Sequence, residues 1–510
     1  VAACAALVLS ACGGAPRAEG AVVIASGTDL EGMQPLATVH PLSRQVQRHL
    51  VFTPLVALDS TLAIVPRAAV SWTWSEGGRV LTFAIDTSLR WHDGAPVTAR
   101  DAAFTLALAA DARTAWARRA ELDGMAGEVV DDGSFRVRFD RVPGEVPLVL
   151  TELPLLPAHR LAAVDPARLR EDPFTLAPVG SGPYRVVRRE AGRRWILERV
   201  TPFPARLGGP GAAPVLVIAV VDEATTKVAG LVSGALDLAG VNPATAALVE
   251  RDPTLRLVTY PTLFTNWLVF TADRPPFDDV RVRRAVALAL DRRRLVDGGI
   301  GGFATPSAAW TADAARDTTP ADTARADSLL DAAGWRRGAD GMRARDGRPF
   351  AVTLLCAATA DNAVEQLLQG ALRARGIAVT IATREPGAML AAARDPRRAH
   401  ELLVTGVPGD LARGQLALLF GPSGAGGALD FGGARPPTFG AALAAVRTAP
   451  DRAARDRAWA AAFAVLDSAV PATPLYHARG VQGASRRLEG VRIDLRGELA
   501  TAPRWRLAPR

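Results

Sequence analysis

The chain has 510 residues, 49% of them hydrophobic, a formal net charge of +8 and a pI of about 10.4. That length exceeds one ordinary core and points to two or three lobes, and the apolar share excludes a disordered chain. Lys227 is the only lysine, and the arginines are scattered among 52 acidic residues; without clustering or interleaved aromatics, no nucleic-acid partner is expected.

Ala2 to Ala11 form an apolar run far short of the roughly 20 residues a membrane-spanning helix needs, and of the length of a signal-peptide core. It ends Leu9-Ser10-Ala11-Cys12, which resembles a bacterial lipobox. Residues 1–11 are therefore expected to be a truncated signal peptide. Cys12 is expected to carry a lipid anchor, and 12–21, rich in Gly and Ala, to be a tether. The location this implies is periplasmic or extracytoplasmic, on a membrane. No later segment reads as transmembrane; Val215 to Val221 is only strand length.

Val22 to Ala25 reads as a first buried strand. Val80 to Asp86 and Ser134 to Phe139 alternate polar and apolar residues, the pattern of half-buried antiparallel strands. His92-Asp93-Gly94-Ala95-Pro96 is turn chemistry, and Thr98 with Asp101 forms a capping-box-like start to a helix. Gly180-Ser181-Gly182-Pro183-Tyr184 is a tight turn into a strand; no Lys-Ser/Thr follows, so it is not a phosphate loop. Val215 to Val221 is apolar throughout, as in a strand buried on both faces, and Glu223 to Ser233 reads as a helix. Asp278-Asp279 caps a helix whose Val282, Ala285, Val286, Ala289 and Leu290 share one face. Arg292-Arg293-Arg294 is expected at a helix end, where it complements the C-terminal dipole. Ala324 to Ala333 is a short helix, and Phe350 to Ala357, Val364 to Ala374 and Ile377 to Ile381 form a strand–helix–strand unit. Gly421 to Gly440 reads as loop, and Ala453 to Leu466 as a last amphipathic helix.

Catalytic patterns are missing. There is no His-Glu-x-x-His and no Gly-x-Ser-x-Gly, and none of the six histidines pairs with another at metal-ligand spacing. His92 beside Asp93 is better explained by a turn than by a dyad. Beyond Cys4 and Cys12 only Cys356 remains, so no internal disulfide is expected there; in Val352 to Cys356 it reads as a buried structural thiol. These features predict no enzyme, no cofactor and no metal site.

Several segments, in order, resemble the peptide/nickel group of family 5 extracellular solute-binding proteins, which serve ABC importers. They are Val51 to Val56, Val65 to Ala69 with Ser71-Trp72, and above all Leu89-Arg90-Trp91-His92-Asp93-Gly94-Ala95-Pro96-Val97-Thr98-Ala99-Arg100-Asp101. Then come Gly180 to Tyr184, Asp222 to Thr225, Leu231 to Asp237, Pro276 to Ala285 and Ala289 to Arg292. The resemblance spans roughly residues 27 to 500. It implies a two-lobed α/β fold of the type II periplasmic-binding-protein kind, joined by a hinge and carrying an inserted subdomain. Lobe I would take 22–45, 175–268 and 480–510, the inserted subdomain 46–174, and lobe II 269–479.

The resemblance further implies a monomer that closes on a short peptide, or on a nickel chelate, sugar, opine or other small solute, and passes it to ABC-transporter permease subunits. A sensor or enzyme on the same scaffold is the reading from another class. Asp410 lies where the family's cleft aspartate lies and would hold a cationic group of the solute, such as a peptide α-ammonium. There are departures. Leu411 replaces the tyrosine that usually follows that aspartate, Pro437-Thr438-Phe439-Gly440 lacks the family's acid, and Phe270-Thr271-Ala272 replaces Phe-Asn-Thr. They leave room for a ligand other than an ordinary peptide.

Overall fold

Two strands run much longer than the rest, Leu255–Phe270 with 16 residues and Ala472–Ser485 with 14. They belong to a computed structural model that describes residues 18–312, 320–359, 361–411, 413–422, 429–432 and 434–509, apart from the side chain of Pro243. Cys12 lies outside the described residues. The two long strands pair antiparallel from Leu255↔Ser485 to Val269↔Ala472. They form the middle of an eleven-stranded sheet that runs through both lobes.

On one side the order continues through Leu238–Gly240, Val22–Ser26, Val215–Val220, Arg194–Arg199 and Tyr184–Glu190. On the other it continues through Leu402–Pro408, Ala351–Ala357 and Ala378–Arg384. Ala351–Ala357 and Ala378–Arg384 pair in parallel, joined by the helix Ala363–Arg373, as their spacing predicts. Cys356 is buried on the first of these strands, and burial, with Glu365 nearby, pushes its thiol up to about 11, out of reactive range.

A separate four-stranded antiparallel sheet, in the order Ala69–Ser75, Val80–Ile85, Ser134–Phe139, Met125–Asp131, packs beneath the helix Ala99–Ala110. The alternation read in these strands is real: Leu81, Phe83, Phe135 and Val137 are fully buried beneath that helix. The Asp101 carboxylate accepts the Thr98 amide at 2.9 Å and the Ala158 amide at 2.9 Å, so one acid both caps the helix and ties it to the next segment.

Two readings need correction. Arg292-Arg293-Arg294 does not close a helix. Val280–Leu288 ends before it, and the arginines open the next helix, Arg292–Gly299, capped by Asp291. That placement opposes the helix dipole. It is offset by contacts no sequence spacing reveals, since Arg292 donates to the Pro474 carbonyl and the Thr473 hydroxyl, both at 2.9 Å. The apolar strand Val215–Val220 is not buried on both faces. Leu216 and Ile218 are fully buried, whereas its other residues are half-covered, because the helices over that face form only a small cluster around Leu231 and Val249.

Candidate functional site

The register of the two long strands slips between Pro261 and Thr265. Such a bulge re-aims side chains out of the ladder. Here it turns Leu263 and Phe264 into a cavity of about 970 Å³ between the lobes. The Leu263 carbonyl accepts the Gly409 amide at 2.6 Å, which fixes the turn carrying Pro408 to Leu411 along the same wall.

The facing wall is built from segments far apart in sequence and carries six arginines: Arg44, Arg48, Arg67, Arg118, Arg496 and Arg504. Four of them are ion-paired in place. Glu152, at the end of the short helix Val149–Glu152, meets Arg118 at 2.5 Å, Arg44 at 3.0 Å and Arg48 at 3.4 Å. Burial pushes the Glu152 carboxyl up, but Arg48, Arg118 and Arg44 outweigh it, and the group ends below the ordinary carboxylate range. Arg496 pairs with Asp494 at 2.7 Å. His49 is held well below its ordinary value by burial and by the adjacent Arg48, so it is neutral, and it accepts the Arg48 Nε–H at 3.3 Å. Arg67 differs from these: burial, then the charges of Arg206 and Arg504, lower its pKa, and no carboxylate acts against them.

A two-lobed α/β chain with a hinge-strand pair and a polar cavity between the lobes is the architecture of a solute-binding protein. The profile of the bacterial extracellular solute-binding proteins, family 5, matches residues 63–424. The chain belongs to this family. It is 28% identical over 292 residues to a candidate ABC transporter peptide-binding protein of Brucella ovis, covering 56% of this chain and 55% of that protein. It thus spans about half the length of such curated relatives. The nickel-binding periplasmic protein of Escherichia coli is 24% identical over 368 residues, 68% of each chain. The structure of the ABC transporter substrate-binding protein CtaP from Listeria monocytogenes superposes with a TM-score of 0.83 at 18% identity, covering 96% of this chain and 99% of that one.

The segments that carry the family 5 pattern hold the scaffold. His92 does not pair with Asp93. Its Nδ1 accepts the Gly180 amide at 3.2 Å and its Nε2 donates to the Gly182 carbonyl at 3.0 Å. Burial holds its pKa down to about 4, which keeps the neutral ring these two bonds require. Asp93 instead meets His159 at 2.9 Å. Gly180 and Gly182 are glycines for a steric reason, since a Cβ at either would collide with the carbonyl of Val51 or Leu50.

Asp410 lies on the cleft wall and is exposed. Its Oδ1 accepts the Gly414 amide at 3.1 Å, and its own amide donates to Gln415 Oε1 at 3.4 Å, so it also shapes the start of the helix Gly414–Phe420. Across the cavity its charge helps to raise the pKa of Arg118, against burial and together with Glu121 and Glu152. The arginine wall went unread in the sequence. Arg67 sits inside a scaffold motif, and Arg44 and Arg504 are separated by most of the chain.

Proposed function

We propose that this family 5 protein captures a short peptide between its lobes and delivers it to the permease subunits of an ABC importer. The observation that carries the reading is the cavity itself. At about 970 Å³ it lies at the upper end of ligand sites, which run from roughly 300 to 1,000 Å³. It offers Asp410 beside the apolar Leu263 and Phe264 on one wall, and on the other six arginines that outnumber the acids Asp59, Glu121 and Glu152. A peptide, with an ammonium, a carboxylate and apolar side chains, matches that distribution, and the description of the Brucella ovis relative supports it. The Escherichia coli relative supports a nickel chelate or another small anionic solute as the second reading.

Asp410 anchors the cationic end of the solute by a charge-assisted hydrogen bond. Lobe I comprises 22–45, 175–268 and 480–510, the inserted subdomain 46–174 and lobe II 269–479, and closure about the long strands buries the ligand. The protein acts as a monomer and without chemical turnover. Cys12 holds it on the outer side of a membrane through a lipid; among the described residues no helix is long and apolar enough to cross one.

The deciding experiment is mass spectrometry of the ligand released from gently purified protein, followed by calorimetry with the identified compound. A peptide that binds and is recovered unchanged after hours supports the reading. A non-peptide ligand transfers it to the second reading, and conversion of the ligand removes the binding-protein assignment. Fractionation of a Cys12→Ser variant tests the anchor: release into the soluble fraction is expected, and retention on membranes overturns it.

A further inference from the structure

We propose that Arg67 and Arg504 form an anion-binding subsite in the cleft, so that the captured solute presents a carboxylate, phosphate or similar oxyanion to this pair of guanidinium groups. The inference rests on the solute-capture reading and narrows the class of solute.

Both arginines line the cavity, and each springs from fixed backbone. Arg67 follows the strand Ile64–Pro66, and its amide is held by the Leu55 carbonyl at 3.2 Å. Arg504 ends the turn Ala502–Arg504, which is clamped by the fully buried Trp505 and by the Pro503 carbonyl accepting the Ala212 amide at 2.8 Å. A site on immobile backbone keeps its geometry without being organised by the ligand.

Among the described residues neither guanidinium has an ion pair or a hydrogen bond. The other four cleft arginines are occupied, three by Glu152 and one by Asp494. Arg206, next to Arg67, is also occupied, with its Nε–H donating to Asp86 at 2.6 Å. Two like charges, Arg67 half-buried and Arg504 exposed at the cleft wall, are therefore gathered where the lining carboxylates Glu121 and Glu152 are engaged by other arginines. Arg67 is repelled by both Arg206 and Arg504. Such an arrangement destabilises the empty protein, and stability given up in this way is a signature of sites kept for a ligand. The guanidinium fork matches the two oxygens of a carboxylate or phosphate, which an ammonium would not. Gly208 and Gly209, close in sequence to Arg206, line the same wall, and no atom lies within 4 Å of where their side chains would begin, so the approach is open. With Asp410 on the facing wall, the cleft is polarised for a solute carrying opposite charges at its two ends.

The test compares wild type with Arg67→Gln, Arg504→Gln and Arg67→Lys, using triglycine, triglycine amide, succinate and inorganic phosphate in calorimetry, and the melting temperature of the empty proteins. At least one anionic probe is expected to bind wild type, roughly ten- to hundredfold more tightly than it binds either glutamine variant, with the lysine variant between. Succinate or triglycine outcompeting phosphate assigns a carboxylate; the reverse assigns a phosphate. The empty Arg67→Gln protein is expected to melt higher than wild type, because a repulsion is removed. The subsite is overturned if no anionic probe binds wild type, if the variants bind all anions as wild type does, or if Arg67→Gln melts lower, which would make Arg67 structural. Triglycine and its amide bound alike by every protein would overturn the subsite and leave solute capture standing. Anion binding lost in the variants, with no solute co-purifying, would keep the subsite and remove the solute reading.

Discussion

The two walls of the cleft are made differently. The wall drawn from residues 41–67, 118–152, 207–209 and 495–504 carries six arginines and stands on one continuous core from Val22 to Trp505, locked by His92, Gly180 and Gly182. The facing wall consists of a strand bulge at Leu263-Phe264 and the turn around Asp410, and among its described lining residues Asp410 is the sole charge. The first wall is therefore a broad electrostatic surface, and the second a narrow one with a single charge. A binding protein that closes on its solute can use such a division: the charges of the broad wall orient the solute, and the narrow wall is completed by closure.

The largest effect should come from disturbing the broad wall. Gly180→Ala would drive a methyl group into the Val51 carbonyl, and the backbone on both sides is held by hydrogen bonds. A loss of about 3 kcal/mol or more is expected in urea unfolding. A loss below about 1 kcal/mol would show that this wall yields.

Asp410→Asn should act on binding and leave the fold alone. If the residue anchors a buried ammonium, losing the charge leaves the ligand cation unpaired at a cost of about 3–5 kcal/mol, or roughly a hundred- to several thousand-fold in affinity. The melting temperature of the empty protein should barely move. Calorimetry with the identified ligand and its N-acetylated form checks this; equal affinities in all four combinations would reduce Asp410 to its role at the start of the helix Gly414–Phe420.

Acid should loosen the broad wall first. His92 is neutral in the fold with a pKa of about 4, against about 6.5 for a free imidazole. Its folded value is lowered, so its contribution is fully present above pH 6.5 and is lost as the pH falls from there towards 4, by about 3–4 kcal/mol in all. His92→Gln, which can still accept and donate, should remove this part of the pH dependence of the melting temperature. An unchanged slope between pH 6.5 and 4 would contradict the assignment.

The smallest effect concerns how the walls come together. Away from the two long strands, Arg455 on the helix Arg452–Ala469 pairs with Glu145, in the segment after the strand Ser134–Phe139, and donates to the Pro143 carbonyl at 2.7 Å. Glu145→Gln should weaken this part-exposed contact by about 0.5–1 kcal/mol. The expected readout is a small rise in the radius of gyration of the empty protein in solution scattering; no rise would show that closure is governed at the hinge.

Much of this chain can be read from local pattern. Alternation in Val80 to Asp86 and Ser134 to Phe139 marks antiparallel strands, and helical spacing from Val282 to Leu290 marks a buried helix face. Caps such as Asp101 and Asp279 mark where helices begin, because each rests on contacts only two to four residues long. The ordered family segments are legible for the same reason: they are turns, caps and close backbone approaches whose chemistry is local. What tertiary structure alone decided lies in long-range electrostatics and register. Arg292 to Arg294 open a helix against its dipole, and the distant Pro474 carbonyl and Thr473 hydroxyl receive Arg292. The bulge at Leu263-Phe264 exists only in the pairing of two strands about 200 residues apart. The arginine wall, and the pairing that leaves Arg67 and Arg504 without carboxylates among the described residues, is assembled from side chains whose separation along the chain holds no trace of their distance in space.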